Sequence, residues 1–179
     1  MKEFLKKIKL IDILETEIEI QKIDFVSKLK NHVDESNLGF FSDSFEIFSS
    51  SKNDYKGQVD FNGFKIKKKR RFFDMSMNYL VVAEGVFTQK QNILSIKTEL
   101  NGLTGKMAPY FIFLIIFYLI FIFGFSFTLS SDDNIPVFVL PFIIFHAMLM
   151  FGIPYFMMKK GIINMKKELE REFFYIAKK

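Results

Sequence analysis

The most chemically pointed stretch of the chain is basic: Lys65, Lys67, Lys68, Lys69, Arg70 and Arg71, interrupted only by Ile66 and followed by two Phe. Near an anionic bilayer each such charge is worth about 1 kcal/mol, so the run is a candidate lipid-surface contact. It equally suits a solvent-facing or edge strand that its lysines keep from aggregating. Strand residues alternate between faces, so Lys68 and Arg70 cannot share a side with Lys67, Lys69 and Arg71. Part of the run must therefore reach past the packed sheet. No nucleic-acid-binding motif frames it, and nucleic acid is not an expected partner.

The second candidate is a pair. His146 lies mid-way along an uncharged apolar run, and Tyr118 lies mid-way along another. If the two runs fold back on each other, Tyr118 and His146 are equidistant from the connecting loop and come to the same depth. A Tyr118–His146 hydrogen bond between two membrane helices would contribute about 1 kcal/mol. Neither run holds a carboxylate or a basic relay residue, so a pinning histidine is the expectation and a proton path is not. The third candidate, His32 beside Asp34 and Glu35, is a poor metal set and reads as a solvated helix end.

Exclusions narrow the chemistry further. The chain has no cysteine, which removes disulfides, thiolate metal sites and cysteine nucleophiles and suits a reducing compartment. No GxSxG, Walker loop, GxGxxG or HExxH occurs. No catalytic residue, cofactor site or metal site is therefore expected, and the reading is non-enzymatic.

What must position these residues is set by two long apolar segments, Pro109 to Leu129 and Ile135 to Met158, neither of which contains a charge. About 20 apolar residues in a helix span a hydrocarbon core about 30 Å thick, and both segments are long enough. Ser130 to Asn134, with Asp132 and Asp133, leave room only for a tight antiparallel hairpin. Residues 1–105 carry 17 Lys/Arg against 15 Asp/Glu, whereas residues 159–179 carry 7 against 3. Basic flanks resist translocation, so the acidic loop should lie outside and both termini in the cytoplasm. The opening MKEFLKKIKLIDILETE lacks the apolar core of a signal peptide. A multi-pass membrane protein follows, with residues 1–106 as a cytoplasmic α+β domain, 107–158 as the hairpin and 159–179 as a cytoplasmic amphipathic helix.

Within the first domain, alternation over residues 8–20 predicts a strand. Asp24 is a plausible N-cap for a helix whose apolar face is Phe25, Val26, Leu29 and Val33, ending near Ser36 to Gly39. FEIF predicts a short strand. Asn62-Gly63 predicts a type I′ hairpin with Tyr55, Val59 and Phe61 facing Phe64 and Ile66. A second hairpin should turn around Gln89 to Asn92, with Leu94, Ile96, Thr98 and Leu100 on one face. The sheet should be small, antiparallel and five-stranded. Pro141 can kink the second span, and Gly161 should allow a change of direction after it. The stripe Ile162, Met165, Leu169, Phe173 and Ile176 needs a partner, and the bare face of the sheet suits it better than the bilayer interface.

At FSSSKNDYKGQVDFNGFKIKKKRRFF and AEGVFTQKQNILSIKTELNG, followed by the hairpin, the chain resembles small uncharacterised bacterial membrane proteins of Bacteroidetes-like genomes. The elements YKG…FKI with its basic tail and A.G.F before two spans look similar to YcxB-like proteins. That resemblance, over roughly residues 40–129, implies a small sheet domain beside a two-helix anchor and brings no catalytic residues. Here the anchor follows the sheet. The expected activity is a membrane-anchored interaction module whose partners are membrane lipid and a protein or a second copy. An oligomerising effector or pore subunit is the rival.

Overall fold

A computed structural model describes residues 2–38, 52–70, 77–104, 107–129 and 139–178. The expected FEIF strand, Arg71 and the connecting loop at Ser130 to Asn134 lie outside the described residues. The chain divides into two compact units, Met1–Thr104 with Met158–Lys179, and Gly105–Met157.

The first unit is α+β. Its elements run α1 (Lys2–Lys7), β1 (Ile11–Glu19), α2 (Lys22–His32), β2 (Val33–Glu35), β3 (Tyr55–Val59), β4 (Gly63–Lys68), a 3-10 turn (Asn78–Leu80), β5 (Val82–Lys90) and β6 (Ile93–Asn101). The sheet has six strands in the order β1-β6-β5-β4-β3-β2. All neighbours are antiparallel except β2 and β3, so the sheet is mixed rather than purely antiparallel. Helix α2 ends at His32, earlier than the sequence suggests, because Val33–Glu35 pairs with Tyr55–Gly57 as an edge strand.

Period-two alternation puts Leu14, Thr16 and Ile18 of β1 and Leu94, Ile96, Thr98 and Leu100 of β6 on one buried face. Phe25, Val26 and Leu29 of α2 join the same core, as do Ile162, Met165, Leu169, Phe173 and Ile176 of the C-terminal helix. Phe173 meets Phe25 and Phe64 edge to face, each at 5.7 Å between ring centroids. The apolar stripe of the last helix thus covers the sheet, as its spacing anticipated. The opposite face carries charged rows: Glu15 pairs across strands with Lys97 at 2.7 Å, and Lys65 with Glu84 at 3.4 Å.

The first hairpin departs from its expected turn. Val59 stands opposite Phe64 and the Asp60 N–H donates to the Gly63 carbonyl at 2.8 Å, so Phe61 and Asn62 sit at the tip. Neither Asn62 nor Gly63 has positive φ. Gly63 instead belongs to β4, where a Cβ would lie 2.3 Å from the Gly85 carbonyl oxygen. Close approach between strands, not turn conformation, is what demands glycine here. The register moves by two residues, which leaves the paired residues of both strands on their expected faces. Phe61, no longer opposite Phe64, is exposed, with the Lys22 ammonium 4.2 Å above its ring.

The second unit holds α3 (Met107–Leu129) and the first part of α4 (Val139–Lys178). Helix α4 continues through Gly161 rather than ending there. That glycine has a different cause: a Cβ on it would lie 2.5 Å from the Met77 carbonyl oxygen. Pro141 falls in the first turn of α4, where a missing N–H costs nothing, and Pro154 is the proline inside the helix.

Candidate functional site

In the second unit the two helices meet through polar and aromatic contacts that run antiparallel. The Tyr118 hydroxyl lies 2.6 Å from Nδ1 of His146. Phe142 stacks on the imidazole at 6.3 Å, and Tyr118 also leans on Phe151 at 5.8 Å. Toward the other end, the Tyr110 hydroxyl donates to the Met150 carbonyl at 3.2 Å. In an α-helix that carbonyl would accept from residue 154, which is proline and has no N–H. Tyr110 therefore satisfies an acceptor that Pro154 leaves open, which matters most where water is absent. The proline in the second apolar run was a visible signal for such a contact; its partner on the first run was not.

Outside these contacts Leu114 is buried, but most of the described apolar side chains of this unit are exposed. Phe113, Ile120 and Phe123 of α3, and Phe142, Met148 and Phe156 of α4, are each more than three-fifths exposed. The most apolar 18-residue windows of the two helices have mean hydropathy 2.4 and 1.9 and are 11 % and 0 % buried. A core helix of a water-soluble protein would bury most of such a window. Both helices are long and apolar enough to cross a membrane.

The five basic candidates that are described, Lys65, Lys67, Lys68, Lys69 and Arg70, do not form one surface. Lys65 is exposed on the charged sheet face beside Glu84. Lys67 and Lys69 are buried, and Lys69 pairs with Asp34, which also accepts a hydrogen bond from Asn53 at 2.8 Å. Lys68 turns to the core side and pairs with Glu168 of α4. Arg70 lies over the Tyr79 ring at 5.4 Å. Strand alternation is the reason: consecutive lysines are sent to opposite faces, and those with a carboxylate in reach become internal ties. A lipid contact made by these five side chains at once does not fit this arrangement. His32 likewise has another occupation, its Nδ1 lying 2.8 Å from the Lys28 carbonyl oxygen one turn back. Among the described residues no group of three His, Asp or Glu side chains could hold a metal ion.

Two further features escaped sequence reasoning. The first is a network on Glu168, whose carboxylate takes Lys68 on one oxygen and Asn78 on the other. Beside it lies an open cleft of about 350 Å³, lined by Lys68, Asn78, Asn164, Lys167, Glu168 and Arg171. The second is Tyr55, buried with a hydroxyl that has no hydrogen-bond partner among the described residues. Burial, then the charges of Glu168, Glu172 and Asp54, push its phenol far above the usual range. At the sheet's other edge the Asp12 carboxylate accepts from the Lys166 ammonium at 2.8 Å. Burial favours its neutral form, but Lys166, the Ile13 N–H and Lys9 outweigh that and hold it below the usual carboxylate range. Asp12 and Lys68 stand on well-separated strands, so Lys166 and Glu168 tie α4 to the sheet at two places.

No family model, no curated protein and no solved structure matches the chain.

Proposed function

We propose that this chain is a membrane-anchored, non-enzymatic interaction module of a bacterial inner membrane, its globular unit and both termini cytoplasmic. The observation that carries the reading is the outward-facing apolar surface of α3 and the first part of α4, combined with polar groups satisfied between the helices. Exposed apolar surface on this scale belongs in lipid or against another protein. The basic flanks of the hairpin and its acidic loop support the orientation. The YcxB-like resemblance supports the same arrangement of sheet domain and anchor, and no family membership follows from it. Anionic lipid headgroups and a protein partner at the membrane surface are the targets that suit a basic globular unit held there.

Extraction of native membranes at pH about 11, where peripheral proteins held by charge are released, tests the anchor. The chain is expected to remain in the pellet; release into the supernatant would contradict the reading. Proteoliposomes carrying the full chain should also retain an entrapped dye. Leakage that depends on the protein would favour a pore subunit instead.

A further inference from the structure

Within the globular unit, Asn164, Lys167, Glu168 and Arg171 follow one another at helical spacing along a single side of α4, away from the core stripe. Lys68 from the end of β4 and Asn78 from the turn before β5 close the other wall of the cleft. The charges in it are not balanced. The Lys68 ammonium offsets the charge of Glu168, the one carboxylate among the described residues that line the cleft, and the Asn78 amide takes its other oxygen. Lys167 and Arg171 are exposed, one helical turn apart, and neither makes an ion pair among the described residues. Like charges at this spacing repel. An anion between them would remove the repulsion.

The floor of the cleft is firmly built. Asn78 is only 2 % exposed. It follows Met77, whose φ of 61° is a left-handed conformation that a methionine adopts at a cost. The Met77 carbonyl presses against α4 at Gly161, where any side chain would collide with it. A strained turn held against a helix by a required glycine fixes the polar groups around Glu168 before any ligand arrives. The cleft is of the size that takes a small polar group rather than a large ligand.

We propose that this cleft binds a phosphate-bearing anion, with Lys167 and Arg171 as its cationic ligands. The guanidinium fork matches two phosphate oxygens at once, and the ammonium adds a point charge. The cleft stands on the globular unit alone; only the choice of a lipid headgroup as the phosphate's source rests on the membrane reading above.

The test uses purified full-length chain in a neutral detergent. It is titrated with short-chain phosphatidylglycerol, short-chain phosphatidylcholine and inorganic phosphate, and bound species are counted by native mass spectrometry. Preference for phosphatidylglycerol over phosphatidylcholine is expected, and K167Q/R171Q should weaken it about tenfold or more. K65Q/K97Q, which removes the same charge from the opposite sheet face, should leave it unchanged. R171K should fall between wild type and the double variant. Inorganic phosphate bound with the same pattern of variants supports the site and assigns it to soluble phosphate. No preference in the wild type, or a loss in K167Q/R171Q no larger than in K65Q/K97Q, overturns the proposal. Because Lys167 and Arg171 are exposed and outside the core, an unchanged melting temperature verifies folding of the variant. If this site fails while the chain still resists alkaline extraction, the membrane reading stands without it.

Discussion

Replacing Phe173 with alanine tests whether the C-terminal helix belongs to the sheet. Phe173 is fully buried and contacts Phe25 of α2 and Phe64 of β4 edge to face. Its truncation removes a large apolar side chain and two aromatic contacts at the point where both helices and the sheet meet. Such a change costs about 3–5 kcal/mol, the aromatic contacts being part of that figure. A domain of this size is stable by only about 5–15 kcal/mol, so most of its margin could disappear. With a urea slope of about 2 kcal/mol per molar, the midpoint should fall by about 2 M. Its neighbour Phe174 is 43 % exposed and supplies an internal control with the same chemistry. Phe174→Ala should change stability by about 0.5 kcal/mol or less, a midpoint shift of about 0.25 M at most. Pulse proteolysis of the full chain in nanodiscs across a urea series reads both variants. Equal shifts for the two, or a larger shift for Phe174→Ala, would mean that the stripe of α4 faces lipid rather than the sheet.

Other outcomes follow from the same contacts. Tyr110→Phe should destabilise the helix pair by about 1 kcal/mol in a detergent-unfolding titration, and adding Pro154→Ala should restore it, because the Met150 carbonyl regains a backbone donor. Tyr118→Phe and His146→Phe should each cost a similar amount, and the double variant little more than either alone, as a double-mutant cycle would measure. Gly161→Val should destabilise the globular unit by about 1–3 kcal/mol, seen in the same proteolysis assay, since the Met77 carbonyl must move. Asp12 is held low against burial by Lys166 and other partners, and Glu15 is held low by Lys97. For groups whose folded pKa is depressed, the stabilisation is present above the unfolded value and is lost as pH falls through the folded one. Stability should therefore decline with acidification below about pH 4, and Asp12→Asn should flatten that decline in a pH series of urea midpoints.

Much of the fold was legible because its core obeys simple periods. Leu94, Ile96, Thr98 and Leu100 alternate, and Ile162 to Ile176 recur every three or four residues, and both sets are buried. The second hairpin turns at Gln91, which takes positive φ, inside the stretch that sequence alone indicates. What was not legible depends on partners far along the chain. Three residues of β2 carry too little pattern to outweigh the helix before them; their place is fixed by pairing with β3 and by the Asp34–Lys69 tie. The Asn62-Gly63 signal was overridden by a tertiary demand, since Gly63 and Gly85 must pass close together. The basic run is a row of like charges in sequence, whereas in space it is divided among Glu84, Asp34 and Glu168. No spacing rule announces that Glu168 waits for Lys68 a hundred residues away.

Orientation in the bilayer can be read from single cysteines, because the natural chain has none to interfere. Cells carrying Asp133→Cys or Lys97→Cys are treated with a membrane-impermeant maleimide before and after lysis. The Asp133→Cys variant should label in intact cells, and the Lys97→Cys variant, on the exposed sheet face, only after lysis. Labelling of both variants in intact cells, or of Lys97→Cys alone, would contradict a hairpin anchor with a cytoplasmic globular unit.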